Sequence, residues 1–420
     1  MSGLKEILYR YRWLTAIVLI ALGIRLGAVL SMPAGINWRD GVEYDSYAAS
    51  LISEHAYLNQ WGYPSAYRPP GYPVFLVLTG RNPAATRTVQ AILGAATVLL
   101  VYAASVKILG RREALLAAAI TALYPLYIYA AGTYYPAVLL TLFMSGIFLL
   151  LIRARRGSSS IMAFWAGVLA GLMALTKGSC LPALGLAAVW LAMEKRPGME
   201  ESERSGNGSS IRNRLRPAVI FLIPILVITG SWGIRNYLAL GSFQPLSTNS
   251  GYNFWLGNYP GVKADTGNRK LPGQREEELS IRKSHQGEVE TSRAFLRRGL
   301  EYVRNDPGRF IRLSAAKAIN LFRFYPSPMS RDLKWWEKLA SALSYGAVLI
   351  PGVYFLVKNI RQSPEARLIL LILIGYTVVH ALFISKVRLR LPVDILLIIS
   401  AAGGIRDLAA RTGLNLLRED

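Results

Sequence analysis

The stretch NWRDGVEYDSYAASLISEHAYLNQWGYPSAYRPPGYP, residues Asn37 to Pro73, contains four acids and many tyrosines and tryptophans, and hydrophobic segments flank it on both sides. Of the 420 residues in the chain, 52% are hydrophobic and 17% are charged. Because a soluble domain carries about 25% charged residues, this composition predicts a polytopic membrane protein. An acidic, aromatic loop held against a bilayer is unusual without a ligand, so we predict that residues 32–73 form the active-site loop.

The formal net charge of the chain is +23, and much of it lies in short loops at the ends of hydrophobic segments. Cations at these positions set the topology of a membrane protein or contact anionic lipid, which argues against nucleic acid as a partner. The single cysteine, Cys180, excludes an intrachain disulfide and fits no metal-ligand spacing.

Ten hydrophobic segments occur along the chain, and several lie near or below the lower limit of about 17 residues for a transmembrane helix. The first has the basic flank of a signal peptide, but its length and the segments that follow favour an uncleaved first helix. We therefore expect an all-α integral membrane protein with about ten transmembrane helices, amphipathic interfacial helices and a small extracytoplasmic segment. The ten segments are Trp13–Ser31, Thr86–Leu109, Ala114–Ala131, Tyr135–Ile152, Ile161–Thr176, Leu181–Met193, Pro217–Ile234, Leu339–Val357, Leu368–Ser385 and Leu391–Ile405.

Lysine and arginine cluster in alternate loops between these segments, on the same side of the membrane as the N-terminus. By the positive-inside rule that side is cytoplasmic. The sequence thus predicts a multi-pass protein of the cell membrane (inner or plasma membrane) with cytoplasmic N- and C-termini and an extracytoplasmic active site. We divide the chain into an N-terminal membrane module (1–234), an extracytoplasmic segment (235–337) and C-terminal membrane spans (338–420).

An amphipathic helix at the membrane interface is predicted to begin near Asp40, because apolar residues recur after it at i, i+3, i+4, i+7 and i+8. Asp40 and Glu43 have the spacing of a capping box, in which both carboxylates bond backbone amides at the helix start. A carboxylate held at a helix start also suits general-base chemistry. The spacing alone leaves both interpretations open. The apolar positions are Tyr44, Tyr47, Ala48, Leu51 and Ile52.

The pattern D-x3-Y-x3-A-x2-L from Asp40 to Leu51, followed by YRPPGYPVFL from Tyr67 to Leu76, resembles the polyprenol-phosphate-dependent glycosyltransferases of the GT-C superfamily. Within it, the chain is most similar to the dolichyl-phosphate-mannose mannosyltransferase and aminoarabinose transferase-like group. Four more stretches agree with this resemblance and cover most of the chain in order. They are LYPLYIYAAGTYYPAVLLTLF (123–143), GLMALTKGSCLP (171–182), IRNYLALGSFQPLSTNSGYNFWLGNYPG (234–261) and RLRLPVDILLIISAAGG (388–404).

The resemblance implies an inverting hexosyl- or pentosyltransferase that moves a sugar from a polyprenyl-phosphate donor to a glycan, lipid or protein acceptor at the outer membrane face. In that family the aspartate of the first outer loop is the catalytic acid/base residue, which corresponds to Asp40. Many members carry a second acid directly after it, whereas Gly41 follows in this chain. The second carboxylate is then Glu43 or Asp45, and we assign Glu43 to catalysis and Asp45 to the sugar or acceptor.

Five cations lie on the predicted outer side, where short loops normally carry few positive charges. Misassigned spans are one explanation. The other is that these cations, together with Arg68, bind the donor phosphate, for which lysine and arginine are suited. The five are Lys177, Arg235, Lys386, Arg388 and Arg390.

The stretch STNSGYNFWLGNYPG, residues 247–261, is rich in side chains that hydrogen-bond to sugars and stack on them. Its alternative interpretation is a Gly/Asn turn cluster with interfacial aromatic residues. We predict that this stretch and the first outer loop share the sugar and acceptor contacts. The predicted contact residues are Asp45, Tyr67, Asn249, Tyr252, Asn253 and Trp255.

Two other classes of function stay open, a membrane transporter or flippase and a non-catalytic lipid-binding subunit. A transporter places ionisable groups near mid-membrane in interrupted helices. The predicted spans contain few such groups, namely Arg25, His380 and Asp394, and Asp394 can pair with Arg390 at i,i+4.

No metal site and no certain cofactor are predicted, because no histidine has partners at metal-ligand spacing. A divalent cation at the outer acids stays open as an alternative, although no residue pattern supports it. The expected partners are the lipid-linked sugar, its acceptor and membrane lipids, and not nucleic acid.

Overall fold

The computed structural model describes residues 2–36, 39–157, 160–194, 211–266, 270–326 and 333–412. Seventeen α-helices occur in these ranges. They are α1 (Ser2–Leu30), α2 (Arg39–Ser53), α3 (Gly71–Leu78), α4 (Pro83–Ile108), α5 (Arg111–Leu123), α6 (Pro125–Ala131), α7 (Ala137–Arg156), α8 (Ser160–Thr176), α9 (Leu181–Met193), α10 (Ile211–Leu240), α11 (Asn249–Asn258), α12 (Gln274–Ser284), α13 (Glu288–Asn305), α14 (Pro307–Leu321), α15 (Trp335–Asn359), α16 (Pro364–Leu382) and α17 (Leu391–Arg411).

The predicted all-α membrane fold is confirmed. Six of the described helices are long and apolar enough to cross a membrane: those of α1, α4, α7, α10, α15 and α16. Helices α5 and α6 together form a seventh candidate, bent by 52° at Tyr124. The remaining three predicted spans correspond to α8 and α9, which are shorter apolar helices, and to α17. That these three also cross the membrane stays a prediction.

Helix α17 lies at the centre of the bundle, and every residue from Leu391 to Gly404 is buried. It packs against α15, α5 and α7. Small residues at its C-terminal half, including Gly403 and Gly404, permit this close approach. A Cβ atom at Gly404 would collide with the backbone carbonyl of Pro351 on α15.

Two arginines are buried in the bundle, and protein groups bind both. Arg390 pairs with Asp394 at 3.2 Å (Nε to Oδ2), and both side chains are fully buried, which confirms the predicted i,i+4 pair. Tyr124 donates to the same Asp394 oxygen at 3.1 Å. Arg25 donates to the carbonyls of Thr121 at 3.0 Å and Ala122 at 2.9 Å, near the bend between α5 and α6. These contacts offset the cost of placing charge within the membrane.

At one end of the bundle, ion pairs connect the helix ends that carry the clustered cations. Arg156 of α7 pairs with Glu365 of α16 at 3.0 Å, and Lys358 of α15 pairs with Asp407 of α17 at 2.7 Å. The other pairs at this end are Arg367–Glu194 and Arg406–Glu113. The clustered cations therefore share one face of the molecule, as the predicted topology requires.

Helices α11 to α14 form a separate outer layer at the opposite end. Helix α11 packs on α13 around Trp255 and Phe295. Asp306 caps α14 by accepting from the Arg309 amide at 2.8 Å, and Pro307 occupies the first turn. The Asn258 side chain donates to the Leu382 carbonyl at 3.0 Å, which ties this layer to the end of α16.

Cysteine labelling tests the orientation of the bundle. We expect Gln60→Cys, at the exposed turn after α2, to react with an impermeant maleimide in intact cells, and Gln362→Cys, between α15 and α16, to react only after permeabilisation. Both variants are made in a Cys180→Ala background. Labelling of both positions in intact cells would contradict the topology.

Candidate active site

Helix α2 begins at Arg39, so Asp40 lies in its first turn and Glu43 lies three residues later on the same side. The intervening Gly41 has no room for a side chain, because a Cβ atom there would lie 2.9 Å from the Tyr134 carbonyl oxygen. This close approach explains why a second acid cannot directly follow Asp40 in this chain. The second carboxylate is found one turn further along, at Glu43.

Arg68 joins the two carboxylates. Its Nη2 donates to Asp40 Oδ1 at 3.1 Å and to Glu43 Oε2 at 2.5 Å. The guanidinium also lies over the rings of Tyr44 and Tyr67, 5.1 Å and 5.6 Å from their centroids. The two acids thus contact a cation here, which is a different arrangement from the capping-box interpretation.

The loop that carries Arg68 is held by another close approach of backbone. After Pro69 and Pro70, Gly71 begins α3 where a Cβ atom would lie 2.9 Å from the Leu175 carbonyl oxygen of α8. The prolines restrict the backbone before this contact. The loop exit therefore has little freedom to move away from the bundle.

A second guanidinium reaches Asp40 from the far end of the chain. Arg388, in the 3₁₀-helix Val387–Arg390, donates from Nη2 to Asp40 Oδ2 at 3.1 Å. Its guanidinium lies 4.9 Å from the centroid of the Tyr135 ring, and Lys177 donates to the Tyr135 hydroxyl at 3.2 Å. Asp40 is thus surrounded by cations that belong to three separate parts of the sequence.

These charges set the protonation of the site. Burial alone would raise the pKa of Asp40, but Arg68, Arg388, Lys386 and Lys177 outweigh burial and lower that pKa below its ordinary value. Burial lowers the pKa of Lys386 to about 7, with Arg388 and Lys177 acting in the same direction and Asp40 opposing them. Near neutral pH, Asp40 is therefore ionised and Lys386 is only partly protonated.

The carboxylates and cations line a cavity of about 1780 Å³ between the membrane bundle and the outer layer. Its wall on the outer side comes from α11, α12 and the start of α13. The predicted site residues that line this cavity are Asp40, Glu43, Tyr67, Arg68, Lys177, Asn249, Tyr252, Asn253, Lys386 and Arg388.

Two predicted phosphate ligands, Arg235 and Arg390, lie outside the cavity lining. Arg390 is fully buried against Asp394, and a 3₁₀-helix of about three residues per turn points it away from Arg388. Arg235 donates to the carbonyls of Tyr57 at 2.7 Å and Ser65 at 2.8 Å, on the far side of the first outer loop. We do not carry either residue forward as a phosphate ligand.

Two predicted sugar contacts also lie elsewhere. Asp45 follows Asp40 by five residues, roughly 140° around the helix, and pairs with Arg81 through both oxygens, at 3.1 Å and 2.8 Å. Trp255 is completely buried in the outer layer, where its Nε1 donates to Glu277 at 3.1 Å. Neither side chain is carried forward as a sugar contact.

Several cavity residues were not predicted. Tyr135 is buried, its hydroxyl accepts from Lys177 at 3.2 Å, and its ring centroid lies 4.9 Å from the Arg388 guanidinium. Its place at the start of a span, within the stretch 123–143, was the available signal. His380 also lines the cavity, as does Glu288, which had no signal in the sequence.

Among the described residues, no group of three or more histidine, cysteine or acidic side chains is arranged to hold a metal ion. The carboxylates of Asp40 and Glu43, where a divalent cation was considered, contact Arg68.

Comparison with known proteins bears on the family and the fold. Residues 72–201 match the family model of dolichyl-phosphate-mannose-protein mannosyltransferases. This part of the chain is similar to that family. The match confirms the predicted resemblance to the GT-C mannosyltransferases. No curated protein sequence matches the chain.

The solved structures similar to this chain include archaeal oligosaccharyltransferase AglB from Archaeoglobus fulgidus, in complex with an inhibitory peptide and a dolichol-phosphate. The TM-score is 0.56 at 12% identity, over 98% of this chain and 53% of that chain. The oligosaccharyltransferase of the same organism tethered to an acceptor peptide gives a TM-score of 0.53 at 14% identity, over 97% and 51%. This chain thus spans about half the length of these chains and shares their fold.

ArnT from Cupriavidus metallidurans bound to undecaprenyl phosphate is also similar. The match has a TM-score of 0.41 at 15% identity and covers 96% of this chain and 79% of that chain. This weaker likeness carries no argument of its own.

The close approach at Gly41 gives a stability prediction. We expect Gly41→Ala to lower the melting temperature of the purified protein, because overpacking against backbone costs about 1–3 kcal/mol. Gly23→Ala on α1 is the matched control, since its Cβ atom would meet nothing within 4 Å. Equal melting temperatures for Gly41→Ala and Gly23→Ala would contradict the close approach of Gly41 to Tyr134.

Proposed function

We propose that this protein is an integral membrane glycosyltransferase that transfers a sugar from a polyprenyl-phosphate donor to an acceptor on the outer face of the membrane, with inversion. The observation that carries the proposal is the carboxylate of Asp40, held between Arg68 and Arg388 with two lysines nearby. A base and a set of cations within one large cavity are what transfer from a phosphate ester requires.

In the proposed reaction, a hydroxyl or amine of the acceptor attacks the anomeric carbon from the face opposite the phosphate. Asp40 takes the proton of the attacking group. The bond between the anomeric carbon and the phosphate oxygen breaks, and its electron pair stays on the released polyprenyl phosphate. Because the cations lower the pKa of Asp40, the carboxylate is present in its basic form across the neutral range.

The cations perform the second part of the proposed chemistry, which is to bind and stabilise the donor phosphate. Lys177, Lys386 and Arg388 line the cavity beside Asp40, and we assign the donor phosphate to them. The arginine fork suits two phosphate oxygens, and each lysine acts as a point charge. Together they stabilise the charge on the leaving phosphate, so one carboxylate base can suffice.

Glu43 and Arg68 support this arrangement. Arg68 holds both carboxylates with one guanidinium, so Glu43 keeps the cation near Asp40. We therefore assign Glu43 to catalysis through its pairing with Arg68, rather than to proton transfer. The A. fulgidus oligosaccharyltransferase complex with a dolichol-phosphate supports a polyprenyl phosphate as the carrier.

The acceptor is a glycan, a lipid or a protein, and the cavity rim indicates how it is bound. Trp61 and Tyr63 are 71% and 67% exposed there, on a turn that Asn59 fixes by accepting from both of their amides, at 3.0 Å and 3.1 Å. Glu278, which lines the same cavity, is neutralised by Lys270 and Arg282. An aromatic turn and a charge-balanced carboxylate in one cavity, together with Asn249 and Asn253, suit a polyhydroxylated group.

The transporter alternative receives less support from the charges within the bundle. Arg25, Arg390 and Asp394 all contact protein partners and do not line the cavity, whereas His380 does line it. A transport pathway would be expected to expose such groups to its lumen.

The first functional prediction concerns the base. We expect Asp40→Asn to abolish transfer from a labelled polyprenyl-phosphate sugar while the variant still binds polyprenyl phosphate, because the amide keeps the size of the carboxylate but cannot take a proton. Asp45→Asn, which alters the pair with Arg81 on another side of α2, is the matched control. Transfer by Asp40→Asn at near wild-type rates would refute the assignment.

The second functional prediction concerns binding of the donor phosphate and how that binding depends on pH. We expect Arg388→Gln to weaken undecaprenyl phosphate binding by roughly 10- to 150-fold, the equivalent of about 1.5–3 kcal/mol for one charge-assisted contact. Because the pKa of Lys386 is about 7, its charge and the affinity it provides should fall as pH rises through 7. Lys386→Arg keeps its charge and should bind with a weaker pH dependence than wild type.

The affinity for undecaprenyl phosphate is measured from pH 6 to 8.5 for wild type and each variant. Because the lipid phosphate titrates identically in every measurement, comparing each variant with wild type cancels its contribution. Lys283→Met, which removes an exposed cation of α12, is the control. Unchanged affinity in Arg388→Gln, with the same pH dependence in Lys386→Arg and wild type, would exclude these cations as the phosphate site.

A further inference from the structure

We propose that Glu288 and Arg235 are positioning residues, which hold the backbone at Ser65 and Ala66 and so keep Arg68 on Asp40 and Glu43. This inference rests on the proposed function of Asp40. It also assigns a role to Arg235, which lies outside the cavity lining, and to Glu288, which no sequence pattern indicates.

Glu288 is the first residue of α13, in the outer layer, and its carboxylate is turned toward the first outer loop. Its Oε1 accepts from the Ala66 amide at 2.8 Å, and its Oε2 accepts from the Ser65 hydroxyl at 2.5 Å. The Thr248 hydroxyl donates to Oε1 at 2.6 Å, and the Thr248 amide donates to the Ala66 carbonyl at 3.0 Å. Both polar groups of the Ala66 backbone are thus held by the outer layer.

Arg235 holds the same loop from the end of α10. Its two terminal nitrogens donate to the carbonyls of Ser65 and Tyr57, at 2.8 Å and 2.7 Å. The guanidinium lies over the rings of Tyr57 and Trp232, 5.4 Å and 5.0 Å from their centroids. Because the planar guanidinium donates to two carbonyls and packs against two aromatic rings, Arg235 fixes the two ends of the loop relative to each other.

The contacts continue from this clamp, defined as Glu288 and Arg235, to Arg68. The Tyr57 hydroxyl donates to the Arg68 carbonyl at 2.9 Å, and its ring stacks on Tyr47 of α2 with centroids 4.7 Å apart. The Tyr47 hydroxyl is 2.9 Å from the Ser65 hydroxyl. Arg68 follows Ala66 by two residues, so a shift of the clamped backbone would displace its guanidinium from the two carboxylates.

Because the loop is stiff, a shift of the clamped backbone is passed on to Arg68. Pro69 and Pro70 follow Arg68, and Gly71 is packed against the Leu175 carbonyl, so the downstream side cannot absorb a displacement. The clamp fixes the upstream side. Arg68 thus lies between two restrained points, and the outer layer contributes to the charge balance of Asp40 without touching it.

The test compares Glu288→Ala and Ser65→Ala with Glu301→Gln, which removes an exposed acid from the same helix α13. Hydrogen exchange in the peptide that contains residues 65–68 is measured on the full-length protein in detergent. We expect exchange at the Ala66 amide to rise about tenfold in Glu288→Ala, the equivalent of one net hydrogen bond. Ser65→Ala should show a smaller rise, and Glu301→Gln should match wild type.

The second arm measures the pH profile of transfer. Without a nearby Arg68, the pKa of Asp40 rises, so the acid limb should move to higher pH in Arg68→Gln and, by a smaller amount, in Glu288→Ala. The double variant Glu288→Ala/Arg68→Gln should be no less active than Arg68→Gln alone, since Glu288 acts through Arg68.

The two measurements distinguish failure of the positioning role from failure of the proposed function. Unchanged exchange at residues 65–68 in Glu288→Ala, or additive losses of activity in the double variant, would overturn the positioning role. If no variant and no wild-type preparation transfers a sugar while exchange at residues 65–68 rises as expected, the clamp stands and the proposed function is the part that fails.

Discussion

The site depends on one interaction, the contact of the partly buried Asp40 carboxylate with guanidinium groups on both of its oxygens. An ionised carboxylate removed from water costs several kcal/mol unless it is paired and hydrogen-bonded. Arg68 and Arg388 supply that pairing from positions 28 and 348 residues away in the chain. The contact therefore joins the first outer loop to the linker before the last helix.

The same pairing links stability to chemistry. The cations that make partial burial of Asp40 tolerable also lower its pKa, and burial, together with Arg388 and Lys177, lowers the pKa of Lys386 to about 7. Cations held so close together repel one another, and an anionic phosphate would relieve that repulsion. The electrostatics of the cavity thus favour the binding of the group that the proposed reaction must stabilise.

Much of this arrangement could be predicted from the sequence. The apolar spacing after Asp40 predicted the interfacial helix, and the cations that break the positive-inside pattern included Lys177, Lys386 and Arg388, which line the cavity. The sequence could not show in which direction each of these side chains points. Arg388 and Arg390 are two residues apart, yet one reaches Asp40 and the other is buried against Asp394. Their separation depends on the turn of a short 3₁₀-helix, which charge patterns do not reveal.

Contacts between distant elements were the other part that could not be predicted. The approach of α2 to Tyr134 excludes a side chain at Gly41, and the Glu288 contact to the first outer loop joins residues 222 positions apart. Neither has a local pattern, because each exists only once elements that are distant in the sequence have packed together. The outer layer therefore acts on the site through backbone restraint as well as through the side chains that line the cavity.

A structure of the purified protein with undecaprenyl phosphate bound tests the central claim most directly. The account predicts the phosphate in the cavity beside Asp40, with its oxygens about 3 Å from at least two of the Lys177, Lys386 and Arg388 side-chain nitrogens. A phosphate bound at another surface, with these three cations making no contact to it, would contradict the account.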